Sequence, residues 1–512
     1  MKVAESWHRY VLLPEEGVVA AGRPAGQLLG QLPTPVSTGE PESAPLAAAG
    51  GREVTVLDTV QPEGPRLVEA DAEIAEAVNR GDAPLRMVPL VEFAPPDPRL
   101  RASGGSEPTE GGAGSIPPPT VPVKITCVDA KTGAGVEGAR VVAFNRFAMG
   151  LGGEGTTNAS GTVAFKLWIP QIERLYVYAP ETGPAYWGAF EHSLDASTPL
   201  TVPLAPVDLS YVDSVRHYYG SSNFDDERGV VVGVIDTGTG PHNDLNLIGG
   251  INTVSGEAGT EFSDPRGHGT HVAGLIGSGG TPPSGLRGLA PNVQLRAYRV
   301  FPKPKPDGSA DGATNHAIMK ALERATADGC DVVNLSLGGG PHDPVVEEAV
   351  NHARDGGVLV VIAAGNEYRS PASFPSAYPR ATAVTAMGRR GTFPAGSVDD
   401  GSIAQKPAGA DPEEFLADFS NVGQEVTVTA PGVGDLSTLP GNRFGPLSGT
   451  SMAAPVVAGA VACLLSRDAN VYGMVRDGAR SQAIEALLIS SCQQLKFGAI
   501  YEGKGMPDPA VV

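Results

Sequence analysis

Apolar and polar positions fall into several textures along the chain, and each predicts a different architecture. Near the N-terminus, Tyr10-Val11-Leu12-Leu13 reads as a strand, and the Pro/Gly/Ala/Ser stretch that follows to about Gly51 reads as loop or disorder. Alternation at Glu53-Val54-Thr55-Val56-Leu57 and the run Arg66-Leu67-Val68-Glu69 predict two further strands. Asp71–Arg80 has Ile74 and Val78 on one helical face with Gly81 closing it, and Leu85–Phe93 reads as a last strand. Residues 1–95 are therefore expected to form a small α+β unit. Residues 96–120, rich in Pro, Gly and Ser, read as a linker. From 121 to 206 short strand runs alternate with turns (Val123–Val128, Gly138–Phe144, Thr157–Phe165, Leu175–Ala179), which predicts a β-sandwich. From 207 to 512 continuous apolar runs (Gly229–Ile235, Gln294–Val300, Asp331–Leu337, Val358–Ala364) are joined by helical spacers. Strands of that kind are buried on both faces, so this part is expected to be α/β, a mostly parallel sheet with helices on both sides.

Composition narrows the function classes. At 512 residues and 41% hydrophobic content the chain is too long for one core and has ample material for two or three. Its net charge of -20, from 57 acidic and 37 basic residues with no basic block, argues against nucleic acid as a partner. No run reaches membrane-spanning length in this reading. The first residues, Met1-Lys2-Val3-Ala4-Glu5-Ser6-Trp7-His8-Arg9, lack the apolar core of a signal peptide, which predicts a cytoplasmic protein and leaves export by a route without such a signal open. Cys127, Cys330, Cys463 and Cys492 have no metal spacing and read as small buried hydrophobes.

Ligands of parallel sheets gather beyond the strand C-termini, and three candidate groups are expected there. Asp236 ends the run Val230–Ile235. His268 opens the small-residue segment Gly267-His268-Gly269-Thr270-His271-Val272-Ala273-Gly274, and Ser451 opens a helix within Gly449-Thr450-Ser451-Met452-Ala453-Ala454-Pro455. Each alone has a plain alternative: a turn-capping Asp, a zinc-like histidine pair, an N-capped core helix. The histidines lack a nearby Glu or Cys of zinc spacing. Together, an acid, a histidine and a serine at one sheet edge meet the needs of nucleophilic catalysis.

Asp-Thr-Gly, His-Gly-Thr-His-Val-Ala-Gly and Gly-Thr-Ser-Met-Ala-Ala-Pro, in that order, resemble the subtilisin-type serine peptidases over roughly residues 208–510. The resemblance implies an endopeptidase working through an acyl-enzyme. Asp236 would orient His268, His268 would serve as general base and acid, and Ser451 would attack the peptide carbonyl, with His271 structural. Val361-Ile362-Ala363-Ala364-Gly365-Asn366-Glu367 resembles the family's oxyanion segment, which assigns Asn366 as donor. Ser336, Leu337, Gly338 and Gly339 on one side and Ser309, Ala310 and Asp311 on the other match the family's substrate edges, where a peptide adds as a strand. Ala363, Ala364 and Gly365, with Ser373, would line the primary pocket. Small residues without a buried charge there predict an apolar or medium-sized P1 side chain.

No cofactor is required by the resemblance. The loop Gly277–Gly285 lacks the Asn-rich calcium ligands of secreted members, although Asp244 stands where a calcium-binding aspartate often occurs. Residues 10–95 resemble the family's inhibitory prodomains in element order, which makes the N-terminal region a partner of the cleft beside the polypeptide substrate. Residues 121–206 resemble the transthyretin-like or carboxypeptidase-regulatory-like sandwiches, modules that space, dock or bind. A non-catalytic interaction protein on the same fold would have no use for four filled catalytic positions. Acyl transfer to an amine instead of water uses identical residues, and the two stay open at this level.

Overall fold

The computed structural model describes residues 7–19, 22–35, 39–94, 102, 117–220, 229–305 and 310–511. The N-terminal unit is built from β1 (His8–Pro14), α1 (Pro24–Leu29), β2 (Glu42–Leu46), β3 (Arg52–Thr59), β4 (Arg66–Ala70), α2 (Ala72–Arg80) and β5 (Leu85–Pro89), followed by the short β6 (Glu92–Phe93). Its antiparallel sheet has the order β2-β3-β4-β1-β5. Asp71 caps α2 by accepting the Ile74 amide, and Ile74 and Val78 are buried against the sheet.

Two sequence expectations change here. The stretch to Gly51 is not simply loop: it contains α1 and β2, because Leu29, Leu32, Leu46 and Ala49 are buried in the same core. The buried Arg66 guanidinium adds to this by donating to the carbonyls of Leu29 (3.0 Å) and Gln61 (2.9 Å), an order that local composition does not carry. The run Leu85–Phe93 is also not one strand. β5 pairs with β1, whereas β6 leaves that sheet and pairs with a distant segment.

Residues 121–204 form two antiparallel-dominated sheets sharing one core: β7 (Val121–Asp129), β8 (Arg140–Arg146), β9 (Leu151–Thr156), β10 (Thr162–Leu167), β11 (Gln171–Tyr178), β12 (Ala189–Asp195) and β13 (Leu200–Leu204). Their orders are β10-β7-β13 and β12-β11-β8-β9.

The remainder follows α3 (Ser214–Tyr219), β14 (Val231–Asp236), β15 (Leu247–Asn252), α4 (His268–Gly277), β16 (Gln294–Arg299), β17 (Ala313–Thr314), α5 (Asn315–Ala327), β18 (Val332–Leu335), α6 (Pro344–Asp355), β19 (Leu359–Ala363), β20 (Thr382–Arg389), β21 (Ile403–Ala408), β22 (Glu414–Ala417), β23 (Val426–Pro431), β24 (Asp435–Leu439), β25 (Arg443–Leu447) and α7 (Thr450–Arg467). The main sheet runs β15-β16-β14-β18-β19-β20-β22-β21, with β23 also on β20; all pairs from β15 to β20 are parallel. Alternate residues serve opposite cores. Leu359, Val361 and Ala363 pack with α4 and α7, while Val360 and Ile362 pack with α5 and α6. The α/β expectation is met.

Helix α7 corrects one exclusion, since by length and composition it would qualify as a membrane span. Its apolar window is 89% buried inside the protein, so that hydrophobicity is spent on the core. The cysteines are free, with Cys127, Cys330 and Cys463 buried and Cys492 partly so.

Candidate active site

Strands β14, β18 and β19 are consecutive neighbours, and Ile235, Leu335 and Ile362 lie in register across them. Asp236, the last residue of β14, Ser336, just past β18, and Asn366, three residues past β19, therefore come out along one edge of the sheet, whose strands are about 4.8 Å apart. Asp236 is fully buried and accepts from the Thr237 amide. Its two carboxylate oxygens lie 2.8 and 3.0 Å from His268 Nδ1.

His268 is the first residue of α4, and its place is set by a capping cluster. Asp264 accepts from the amides of Arg266, Gly267 and Thr270 and from the hydroxyls of Thr237 and Thr270. Thr237 in turn accepts from the Gly269 amide at 2.9 Å, tying the end of β14 to the start of α4. A Cβ on Gly269 would lie 2.1 Å from the Gly238 carbonyl and 3.0 Å from the Asp236 Cβ, so only glycine allows this approach. Thr237 and Asp264 escaped the sequence reading; an Asp three residues before Gly267 is a capping signal that would have pointed to the latter.

His271, one turn on, is buried and its Nε2 is 3.1 and 3.0 Å from the carbonyls of Asp435 and Gly445. Burial, then the neighbouring His268, pushes its pKa down to about 3, so it is neutral and structural.

Ser451 is the second residue of α7 and is 6% exposed. Proline at 455 removes the amide that would have bonded the Ser451 carbonyl four residues back. Ser336 takes that acceptor instead, donating its hydroxyl to Ser451 O at 2.8 Å, while the Ser451 hydroxyl donates to Ser336 O at 3.4 Å. The pair locks the first turn of α7 to the end of β18.

Asn366 faces the same turn. Its Oδ1 accepts from the Thr450 amide (2.9 Å) and hydroxyl (3.0 Å), which fixes the amide plane and leaves the NH2 group as the end available to donate. Thr450 also accepts from the Gly365 amide. A Cβ on Gly365 would lie 2.7 Å from Ser373 Oγ and 2.6 Å from Glu367 Oε2, so Ala364, Gly365 and Ser373 come together as expected for a pocket wall. The pocket is not free of charge, however. The exposed Glu367 carboxylate reaches it, held by the Asn421 side chain.

The segments assigned as substrate edges meet the chain's own residues 92–94 on one side, and on the other the pairing falls a few residues further on. Gly338 bridges antiparallel to Ala94, Gly339 lies beside Ala94, and Leu337 is buried with Phe93. On the second side the pairing falls on Ala313 and Thr314, opposite Phe93 and Glu92. Ala310 is exposed, Asp311 pairs with Lys305, and Ser309 lies outside the described residues. Gly340, unremarked in the sequence, leaves room for the Phe93 ring: a Cβ there would sit 2.3 Å from it.

Residues 227–506 match the profile of the Subtilase family. The chain belongs to the subtilases. It is 40% identical over 240 residues to Subtilisin DY of Bacillus licheniformis, an alignment covering 46% of this chain and 77% of that protein. Subtilisin Savinase of Lederbergia lenta is 38% identical over 240 residues, covering 47% and 77%. The alkaline protease of Alkalihalobacillus alcalophilus is 38% identical, covering 47% of this chain and 55% of its own length. This subtilase is a serine-type endopeptidase, and its substrate is polypeptide.

The family overturns one expectation: its relatives here are secreted extracellular subtilisins, so the cytoplasmic assignment is withdrawn.

Subtilisins generally need no cofactor, though many bind calcium. Asp244 Oδ2 is buried without a hydrogen-bond partner and points at Gly280 and Gly285 of the loop 277–285. Calcium takes six to eight oxygens, and among the described residues no three His, Cys, Asp or Glu side chains gather as a metal site. Calcium also takes backbone and amide carbonyls, so Asp244 is a carboxylate that could join such a site.

Proposed function

We propose that Asp236, His268, Ser451 and Asn366 carry out peptide hydrolysis in this subtilase. The observation that supports the reading most is the Asp236–His268 contact at the end of β14, one strand from the Ser336–Ser451 pair at the end of β18. Ser451 Oγ attacks the scissile carbonyl as its proton passes to His268 Nε2. Asp236, accepting from Nδ1–H, keeps Nε2 unprotonated beforehand and stabilises the imidazolium afterwards. The carbonyl oxygen, now anionic, is met by Asn366 Nδ2–H and the Ser451 amide at the N-terminus of α7. His268 then protonates the leaving amine, and water resolves the acyl-enzyme by the reverse sequence. Treatment with a fluorophosphonate, which phosphonylates activated serines, should leave one adduct, on Ser451, and His268→Ala should abolish it. An adduct elsewhere, or one indifferent to His268, refutes the assignment.

The primary pocket, walled by Ala363, Ala364, Gly365 and Ser373, is proposed to favour apolar P1 residues. In a peptide panel varied at P1, Leu, Phe or Met should exceed Lys and Arg by about tenfold or more in kcat/KM, the scale of apolar-pocket discrimination. The reverse order would show that the Glu367 carboxylate dominates the pocket.

The N-terminal unit is proposed to regulate the cleft. Strand β6 lies against β17 and Ala94 against Gly338, which is how a bound peptide adds to an edge. The unit is held by the fully buried Phe93, by Asn315 bonding the Pro89 carbonyl, and by Asp58, whose carboxylate takes Lys320 at 2.8 and 2.9 Å. His316, one turn from Lys320, is buried at this contact with Asp58 3.8 Å away; Asp58 and Lys320 are the charges acting on it. Burial lowers its pKa from 6.5 to about 4, because protonation would desolvate a cation. Undocking frees His316 to take a proton at any pH below 6.5, so docking weakens as pH falls from 6.5 towards 4 and is unaffected above that window. From pH 7.5 to 5.5 the docking constant should drop about tenfold. Hydrogen exchange of the β6 amides, corrected for intrinsic rates, reads this, and His316→Gln should flatten it. Equal protection at both pH values would remove His316 from the argument.

A further inference from the structure

The chain's own segment shows two seats for an extended peptide, only one of which lies in the cleft. Ala94 occupies the first, beside Gly338. A peptide that runs antiparallel to Gly338 and continues C-terminally heads for Ser336, whose carbonyl bonds the Ser451 hydroxyl. The next described residue, Ala102, is on the β-sandwich. Its amide donates to Glu154 Oε2 at 3.0 Å, and its side chain packs against a cluster formed by Phe144, Phe147, Tyr176, Tyr178 and Phe190. Eight residues of extended chain reach at most about 28 Å, so the second seat is within one peptide's length of the first.

This face of the sandwich is built to be a fixed platform. Phe147 stacks edge-on to Phe144 with centroids 5.2 Å apart, and the Arg174 guanidinium lies 4.0 Å above the Phe147 ring. The sheet is tied to the segment 396–398 by the Phe190 amide bonding Gly396 O at 2.8 Å and the Val398 amide bonding Gly188 O at 3.3 Å. Asp399, next along, accepts from the hydroxyl of Ser448, three residues before Ser451. Through Val398 and Asp399 the cluster is thus linked to Ser448, close in the chain to Ser451.

We propose that the outer face of the β8–β11 sheet, centred on Phe147 and Glu154, is a docking surface for the part of a polypeptide substrate C-terminal to the scissile bond. Its occupant is an extended chain offering a small or apolar side chain to the aromatic cluster and a backbone N–H to Glu154, as Ala102 does. The proposal rests on the proteolytic reading above and adds to it a determinant of substrate length.

The test uses the full chain carrying Phe93→Ala, which removes the anchor of the resident segment. Two quenched peptides share the same residues up to the second position past the cleaved bond; one stops there and the other continues for ten residues. The longer peptide should have a kcat/KM about tenfold higher. Phe147→Asp and Glu154→Lys, each added singly, should reduce that ratio to about one while the shorter peptide is cut at an unchanged rate, which also certifies folding. A ratio near one before these changes, a ratio that survives both of them, or an equal loss on both peptides would overturn the proposal. Cleavage of neither peptide would instead sink the proteolytic reading, and the docking surface with it.

Discussion

Asp236→Asn should cost about four orders of magnitude in kcat, the scale for triads whose acid is made neutral, with KM and thermal stability little changed. Asp236 is fully buried, and both its oxygens lie within 3.0 Å of His268 Nδ1. That arrangement has only acceptors facing Nδ1, so Nδ1 carries the hydrogen and in the neutral ring Nε2 is bare. An asparagine of the same shape can turn its NH2 towards Nδ1. The ring then takes the other tautomer, with its hydrogen on Nε2, where the Ser451 proton has to go. It also loses the negative charge that would stabilise the imidazolium. The Thr237 amide still finds an oxygen, so the fold has no reason to yield. A loss of less than about tenfold in single-turnover kinetics would mean that His268 is not the base.

Asn366→Ala should lower kcat by about 10²–10³, a magnitude taken over from subtilisin, where the same donor was removed. The reason it transfers is local. Thr450 grips Asn366 Oδ1 through both its amide and its hydroxyl, so the NH2 group is already aimed before substrate arrives and needs no reorganisation as the oxyanion forms. Asn366→Asp keeps the acceptor for Thr450 but replaces the donor with a negative charge, so it should be at least as damaging. A kcat for Asn366→Asp closer to the parent than that of Asn366→Ala would show that the side chain matters only for holding Thr450.

How much was legible beforehand depended on how local the cause was. The apolar runs of β14, β16, β18 and β19 announce a parallel sheet because each strand is buried on both faces and says so in its own residues. Gly269 was visible in the sequence only as part of the small-residue segment after His268; the close approach to the Gly238 carbonyl that it permits belongs to the folded chain. By contrast, the order in residues 24–49 comes from Arg66 and from a sheet formed later in the chain, so composition misjudged it. The role of Ser336 depends on a proline 119 positions away that leaves a carbonyl empty, a relation that exists only after folding.

Three motifs in order were enough to determine the family, and the apolar runs the parallel sheet, because each acts through residues that are immediate neighbours in the chain. Only the tertiary structure decided that Phe93 leaves its own sheet to pair with Ala313, that Thr450 holds the Asn366 side chain, and that an aromatic face of the sandwich packs on Val398. These are contacts between surfaces, and a surface is composed of residues that sequence spacing keeps apart until the cores beneath them are packed.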